Sequence, residues 1–318
     1  MEKRIEQINP GPSRRSFLTG AGALGAAALV AGCSDSGTIT IVPPVTAFTD
    51  FDILNFALNL EYLEAEFYLR AATGSGLAVA DQGVNPGAVT GGTKVPNLTG
   101  SQQQILNEIA YDEQAHVQFL RKALGSSAVG RPAIDFTASF PALATAAGIT
   151  GVTFNPFSDF DSFLVGAFVF EDVGVTAYHG AAGLLSPTAI SGGLLSAAAG
   201  ILAVEGYHAA YVRTALTAKA IAAATATPAT SYPYLGFANK ISALRGTVGG
   251  GMETPLVVPT SISTPSSIVA ADTKNAIAFA RTTDQVLHIV YGTGGGANVS
   301  KGAFFPNGLN GKITVTAS

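Results

Sequence analysis

The chain has 318 residues, 47% of them hydrophobic and only 12% charged, with 37 Gly, no Trp and a single Cys. That composition supports a sizeable core in one large domain, or one domain with an appendage, and argues against disorder or a collagen-like repeat. The formal charge of -4 offers no basic footprint for a phosphate backbone, so no nucleic-acid partner is expected. One Cys cannot make an internal disulfide, a CxxC pair, a thiolate zinc site or an iron-sulfur cluster, so any metal must be held by carboxylates and imidazoles.

Residues 1–33 read as an export signal. Ser13-Arg14-Arg15-Ser16-Phe17-Leu18 resembles a twin-arginine motif and precedes an apolar Gly- and Ala-rich run, Thr19 to Val30, too short to span a bilayer comfortably. Val30-Ala31-Gly32-Cys33 resembles a lipobox, with the only Cys at the position that would be lipidated. The expectation is export of a folded protein through the twin-arginine route to a periplasmic or cell-surface location, with membrane contact through the lipid at Cys33 alone. Loss of residues 1–32 would remove four basic and two acidic side chains, taking the charge from -4 to -6. Residues 34–49, with Pro43-Pro44 and several Ser and Thr, read as a linker.

From Asp50 apolar residues recur at three- and four-residue spacing, predicting a first long helix over about 50–73, stopped by Thr73-Gly74-Ser75-Gly76. A Gly- and Pro-rich loop is expected over 74–99, then a second helix from Ser101 to Leu124 closed by Gly125. Residues 126–157 read as a crossover with a short helix near 139–147. A third long helix is expected over about 158–185, its glycines at 166, 174, 180 and 183 allowing close backbone approach, and a fourth over about 192–224. Pro, Thr, Ser and Gly dominate 226–266. Beyond them the pattern suggests a strand over 275–280, a short helix over 283–291 and a last strand over 312–317. The predicted fold is mainly α: a four-helix bundle over 50–224, with a long crossover between the second and third helices and a small mixed α/β C-terminal extension over 225–318.

The scarce carboxylates and imidazoles carry the chemistry. After the signal the chain has eight Glu and four His, for which chance gives only about 0.1 Glu-x-x-His pairs. Two occur, Glu113-Gln114-Ala115-His116 on the second helix and Glu205-Gly206-Tyr207-His208 on the fourth. At helical spacing each pair shares one face, so both side chains can reach the same ion. The first and third helices each supply a Glu in apolar surroundings, Glu61 and Glu171, followed seven residues later by Tyr68 and Tyr178. One Glu from each of two helices and Glu-x-x-His from the other two is the ligand set of a carboxylate-bridged dimetal centre. Four carboxylates balance two divalent ions, whereas the same four buried without metal carry a heavy desolvation penalty.

Glu113 and Glu205 are the expected bridging carboxylates, the ions lying about 3.5 to 4 Å apart, with His116 and His208 terminal and Glu61 and Glu171 terminal or semi-bridging. Glu64, about 60° from Glu61 around the helix, reads either as an extra ligand or inner base or as surface, and Glu66, about 140° away, as solvent-facing. Tyr68 and Tyr178 are candidate catalytic residues, as donors to the ligands or radical traps; the alternative is a core Tyr with a satisfied hydroxyl. Asp112 is a candidate for orienting a metal-bound His, and His179 and His288 read as structural.

The segment Leu58-Asn59-Leu60-Glu61-Tyr62-Leu63-Glu64-Ala65-Glu66-Phe67-Tyr68 resembles the first bundle helix of the ferritin-like desiccation-related proteins of plants, which have fungal stress-response and bacterial relatives. The resemblance covers about 50–224 and extends more weakly through 279–287. It implies a ferritin-like fold and a stress association without a defined reaction. The wider superfamily implies the ligand set Glu61, Glu113, His116, Glu171, Glu205 and His208, holding two Fe or two Mn.

Two functions fit. One is a redox enzyme handling peroxide or oxygen, catalase-like or ferroxidase-like. The other is a non-catalytic envelope stress or structural protein whose metal only staples the bundle, or whose site is degenerate. The four-cysteine iron module of rubrerythrins has no counterpart here, and a lipid tether with a C-terminal extension does not suit a closed ferritin shell. A homodimer is compatible with the sequence.

Overall fold

A computed structural model describes residues 48–258 and 268–318; the signal, Cys33 and nearly all of the expected linker lie outside them. The protein is predominantly helical. Helix α1 (Asp50–Thr73) starts at a capping box between Thr49 and Asp52 and ends at Gly74, whose φ of 86° is a left-handed cap. Helix α2 (Gly100–Leu124) begins with a second capping box, Thr99 with Gln102. The crossover holds the short α3 (Ser139–Ala146), and α4 (Phe160–Ala182) is capped by Asp159, whose carboxylate accepts from the Ser162 amide. A single turn-rich helix, α5 (Pro187–Ser191), leads into α6 (Leu194–Thr225).

Helix α1 packs chiefly along α2 and α4 along α6, with α1 also meeting α4. Helices α1 and α4 are inner: 20 of 24 and 17 of 23 of their residues are buried. Helices α2 and α6 bury 8 of 25 and 8 of 32, so each keeps a solvent face. The two isolated glutamates therefore come from the inner helices and the two Glu-x-x-His pairs from the outer ones. Strand β1 (Val89–Thr90) pairs in parallel with β2 (Ile134–Asp135), pinning the α1–α2 loop to the crossover. Around Phe67 the aromatic rings of Phe163, Phe157, Phe140 and Phe170 gather at centroid distances of 5.2 to 5.8 Å. This cluster closes one end of the core.

The C-terminal extension lies against the inner helices. It contains α7 (Pro233–Val248), which the Pro- and Thr-rich composition of its surroundings hides in the sequence, and α8 (Thr283–Tyr291). The buried face of α7, Ala238, Ile241, Ser242 and Arg245, has helical spacing. Four buried charges and the half-buried Glu253 dock the extension. Asp172 of α4 takes hydrogen bonds from Arg213 (2.8 Å) and Arg245 (2.9 Å), and Glu253 takes them from Arg245 (2.8 Å) and Arg281 (2.7 Å). At the other end Asn59 and the Asn310 backbone exchange a reciprocal pair of hydrogen bonds, 2.8 and 2.9 Å.

The strands expected over 275–280 and 312–317 do not form. Asp272 gathers the amides of Lys274 and Asn275 into a turn, leaving one isolated bridge, Ala271 to Ala278. Over 312–317 the chain makes only two backbone bonds, around Thr316, to Asn298 and Val299. Neither apolar run has a neighbouring strand to complete a ladder. Among the described residues no helix is long and apolar enough to cross a membrane.

Candidate metal centre

The six expected ligands converge inside the bundle. Glu61, Glu113, Glu171 and Glu205 are at most 1% exposed, His116 and His208 8% and 6%. His116 Nδ1 lies 3.2 Å from Glu61 Oε2, 3.3 Å from Glu113 Oε2 and 3.8 Å from Glu205 Oε1. His208 Nδ1 lies 3.0 Å from Glu113 Oε1 and 3.6 Å from Glu171 Oε2. Two groups with metal-ligand spacing result: Glu61, Glu113, His116 and Glu205, and Glu113, Glu171 and His208. Glu113 stands between them, one carboxylate oxygen toward each histidine. Glu205, the other carboxylate expected to bridge, falls in the His116 group alone.

Burial without partners tests whether these side chains suit a metal. Both Glu205 oxygens and Glu171 Oε2 are buried without a hydrogen-bond partner, and Glu61 Oε2, Glu113 Oε1 and His208 Nδ1, also buried, meet only other members of the cluster, in ion-pair contacts of 3.0 to 3.2 Å. Orphaned acceptors in such number are rare in folded proteins, and they point inward on one another. Burial pushes Glu61 up to about 7 against the pull of His116, and Glu171 up to about 8 against that of His208. Burial and then the surrounding carboxylates hold Glu64 and Glu205 well above the usual range. At Glu113 burial is outweighed by hydrogen bonds from both histidines, which lower it to about 2. Burial pulls both imidazoles down, yet the glutamates lift His116 to about 11 and His208 to about 9. Protons on the imidazoles stand in for positive charge that the carboxylates demand, so the donor set fits divalent cations.

The tyrosines cross over. Tyr68 of α1 donates to Glu171 of α4, and Tyr178 of α4 donates to Glu61 of α1, so each phenol serves the carboxylate of the opposite helix. Burial first, then those carboxylates, raise both phenols well above their ordinary range and keep them neutral donors. Asp112 accepts at 3.2 Å from His208 Nε2, which fixes the ring with Nδ1 facing the centre. Glu64 is buried at 4% exposure, and its Oε1 and Glu205 Oε2 both approach Gly174 of α4. Its place is inside the bundle, not on the surface.

Glu66, expected to face solvent, is fully buried. It pairs with Arg70 at 2.9 Å and with Arg131 from the crossover, a partner distant in sequence that helical angle alone cannot reveal. His179 bonds the Phe279 carbonyl at 3.2 Å, and His288 bonds Thr293 and the Ser318 carbonyl, both structural as expected. The network around Asp172, Arg213, Arg245, Glu253 and Arg281, directly beside Glu171, is not legible in the sequence, because its members lie in separate segments without common spacing.

The ferritin-like domain family matches residues 49–218. The chain is 33% identical over 278 residues to the ferritin-like catalase Nec2 of Nesocodon mauritianus, covering 83% of this chain and 84% of that one. It is 32% identical over 281 residues to the desiccation-related protein PCC13-62 of Craterostigma plantagineum, with the same coverage of 83% and 84%. With its helical bundle, its buried carboxylate and histidine cluster and these matches, the chain belongs to the ferritin-like family.

Proposed function

We propose that this protein is an exported dimetal-carboxylate oxidoreductase that disproportionates hydrogen peroxide, two molecules giving two of water and one of oxygen, in protection against oxidative or desiccation stress. The observation that carries the reading is Glu113, a fully buried carboxylate shared by two ligand groups, beside which both Glu205 oxygens and Glu171 Oε2 are buried without a hydrogen-bond partner. The name of the Nesocodon relative, a ferritin-like catalase, and that of the desiccation-related relative support it. Glu61, Glu113, His116 and Glu205 would hold one ion and Glu113, Glu171 and His208 the other, manganese or iron. Such a pair supplies Lewis-acid binding of peroxide and a two-electron change shared between adjacent ions.

The chain's own groups set up the rest. Tyr68 and Tyr178 orient Glu171 and Glu61 and place a proton at one oxygen of each. Asp112 holds His208 in the tautomer that leaves Nδ1 free. Glu64, buried beside Glu205, is the carboxyl available to hold a proton or add a ligand. Disproportionation needs no external electron donor, which suits a chain without a cysteine-ligated iron module. Ferroxidase-type oxidation by oxygen is the next choice.

The second reading is a stress protein whose metal staples four helices, favoured by the near-complete enclosure of the carboxylates. Loading metal-free protein separately with Mn and Fe, and following oxygen release from peroxide, decides between them, with Glu113→Ala and Glu205→Ala as controls. Turnover that both substitutions abolish supports the catalytic reading. Inert loaded forms whose unfolding temperature falls on metal removal establish the staple.

A further inference from the structure

Where a bundle closes on itself, residues at i, i+3, i+4 and i+7 of one helix fill the gaps between those of its neighbour. Helix α2 presents Ile105, Glu108, Ile109 and Asp112 with this spacing, and α6 presents Val204, Tyr207, His208 and Tyr211. These facing stripes do not interdigitate. They enclose an open cavity of about 330 Å³. Its inner wall is His208, whose Nε2 side meets Asp112 at 3.2 Å and whose Nδ1 side meets Glu113 at 3.0 Å. One imidazole thus separates the cavity from the metal centre. Two carboxylates on one face of α2, exposed Glu108 and half-buried Asp112, flank it, and half-buried Val204 of α6 lines it opposite them.

We propose that this α2/α6 cavity is the port through which divalent cations reach the centre, with Glu108 and Asp112 concentrating them and His208 passing them inward. The proposal rests on the metal-centre reading above, but concerns the path and not the reaction. A low-dielectric cleft lined by one sign of charge focuses the field and raises the local concentration of counter-ions. The pair at Glu108 and Asp112 does this at the mouth. His208 then offers the first buried nitrogens on the way in, Nε2 toward the outer carboxylate of Asp112 and Nδ1 toward the inner one of Glu113. The tyrosine-bonded glutamates, Glu61 and Glu171, sit on the inner helices α1 and α4, away from this opening.

The test follows uptake of Mn2+ by metal-free full-length protein, read as loss of the aqueous Mn2+ resonance, with metal per chain measured at equilibrium. Val204→Trp fills the port and Val204→Ala widens it. Ala142→Trp fills a separate cavity of about 330 Å³ between α3 and the C-terminal extension and serves as control. Expected is slowing of about tenfold or more for Val204→Trp, acceleration for Val204→Ala and no change for Ala142→Trp, at equal final metal content; such factors lie within the range by which focusing and access alter association rates. Glu108→Gln should slow uptake several-fold at low salt and remove most of its ionic-strength dependence. Equal rates for Val204→Trp and the parent protein, or equal slowing by both Trp substitutions, overturn the port. Final metal content separates this from failure of the centre: a parent protein that binds no Mn2+ removes the reading on which the port depends.

Discussion

The Glu205 carboxylate occupies the space that a side chain on Gly174 would need: a Cβ there would lie 2.2 Å from Glu205 Oε2 and 3.3 Å from Glu64 Oε1. Within helix α4 a glycine costs about 0.5–1 kcal/mol relative to alanine, so its presence at this point calls for a steric reason. Gly174→Ala should displace Glu205 and reduce metal bound per chain, despite the better helix propensity. Gly200→Ala in α6, where a Cβ meets nothing within 4 Å, should leave metal content unchanged and stabilise the protein slightly. Metal analysis and thermal unfolding of the two variants check the contrast.

The crossed phenols give the next prediction. Tyr68→Phe and Tyr178→Phe keep the rings and remove only the donors to Glu171 and Glu61. Each should destabilise the metal-free protein by about 1–3 kcal/mol, the scale for a buried acceptor left unsatisfied. Because both carboxylates belong to one network around Glu113, the double variant should depart from additivity, which urea unfolding of the four proteins measures.

Much of this geometry was legible in the sequence because it obeys helical angle. Glu-x-x-His puts two ligands on one face, and the i, i+7 spacing of Glu61 with Tyr68 and Glu171 with Tyr178 puts each phenol at the depth of the centre. The spacing cannot say that the phenols exchange partners between helices, since that depends on how α1 and α4 pack. Glu66 shows the same limit: its angle pointed away from the centre, but the crossover covers that side and brings Arg131 to it. Helix α7 was masked because Pro, Thr and Ser crowd its flanks while its buried stripe includes Ser242 and Arg245, polar residues that periodicity of apolar positions does not register. The expected strands had the right residues and lacked neighbours.

Acid should act on the extension through Glu253. Burial raises its carboxyl, but the charges of Arg245 and then Arg281 outweigh that and lower it below the ordinary value of 4.5. A depressed folded-state value means stability that is present above the unfolded value and lost as pH falls through the folded one. Glu253→Gln leaves two buried guanidinium groups short of a partner, a loss of about 3–5 kcal/mol at neutral pH. The difference between metal-free wild type and Glu253→Gln should shrink as pH drops below about 4.5, toward the folded value. Unfolding curves across that range test it.

Location makes a prediction independent of the metal. Substituting Arg14 and Arg15 together by Lys should hold the protein in the cytoplasm, and Cys33→Ala should release it from membranes after export, both read by fractionation. Export that persists in cells lacking the twin-arginine translocase would show that the bundle is threaded unfolded and finds its metal outside.

Glu113 and its neighbours make the sharpest separation. Glu113 belongs to both ligand groups, Glu61 and His116 only to the first, Glu171 and His208 only to the second. Its two oxygens face different histidines, 3.3 Å from His116 Nδ1 and 3.0 Å from His208 Nδ1, and among the described residues no other side chain belongs to both groups. Glu113→Ala should therefore remove both ions. His116→Ala should preferentially empty the first position and His208→Ala the second, leaving about one ion per chain in each case. Elemental analysis after dialysis against trace metal reads the stoichiometry directly. Metal retained at two per chain in Glu113→Ala would mean that Glu205 or Glu64 supplies the bridge. Loss of both ions in each single-histidine variant would mean that neither position binds alone.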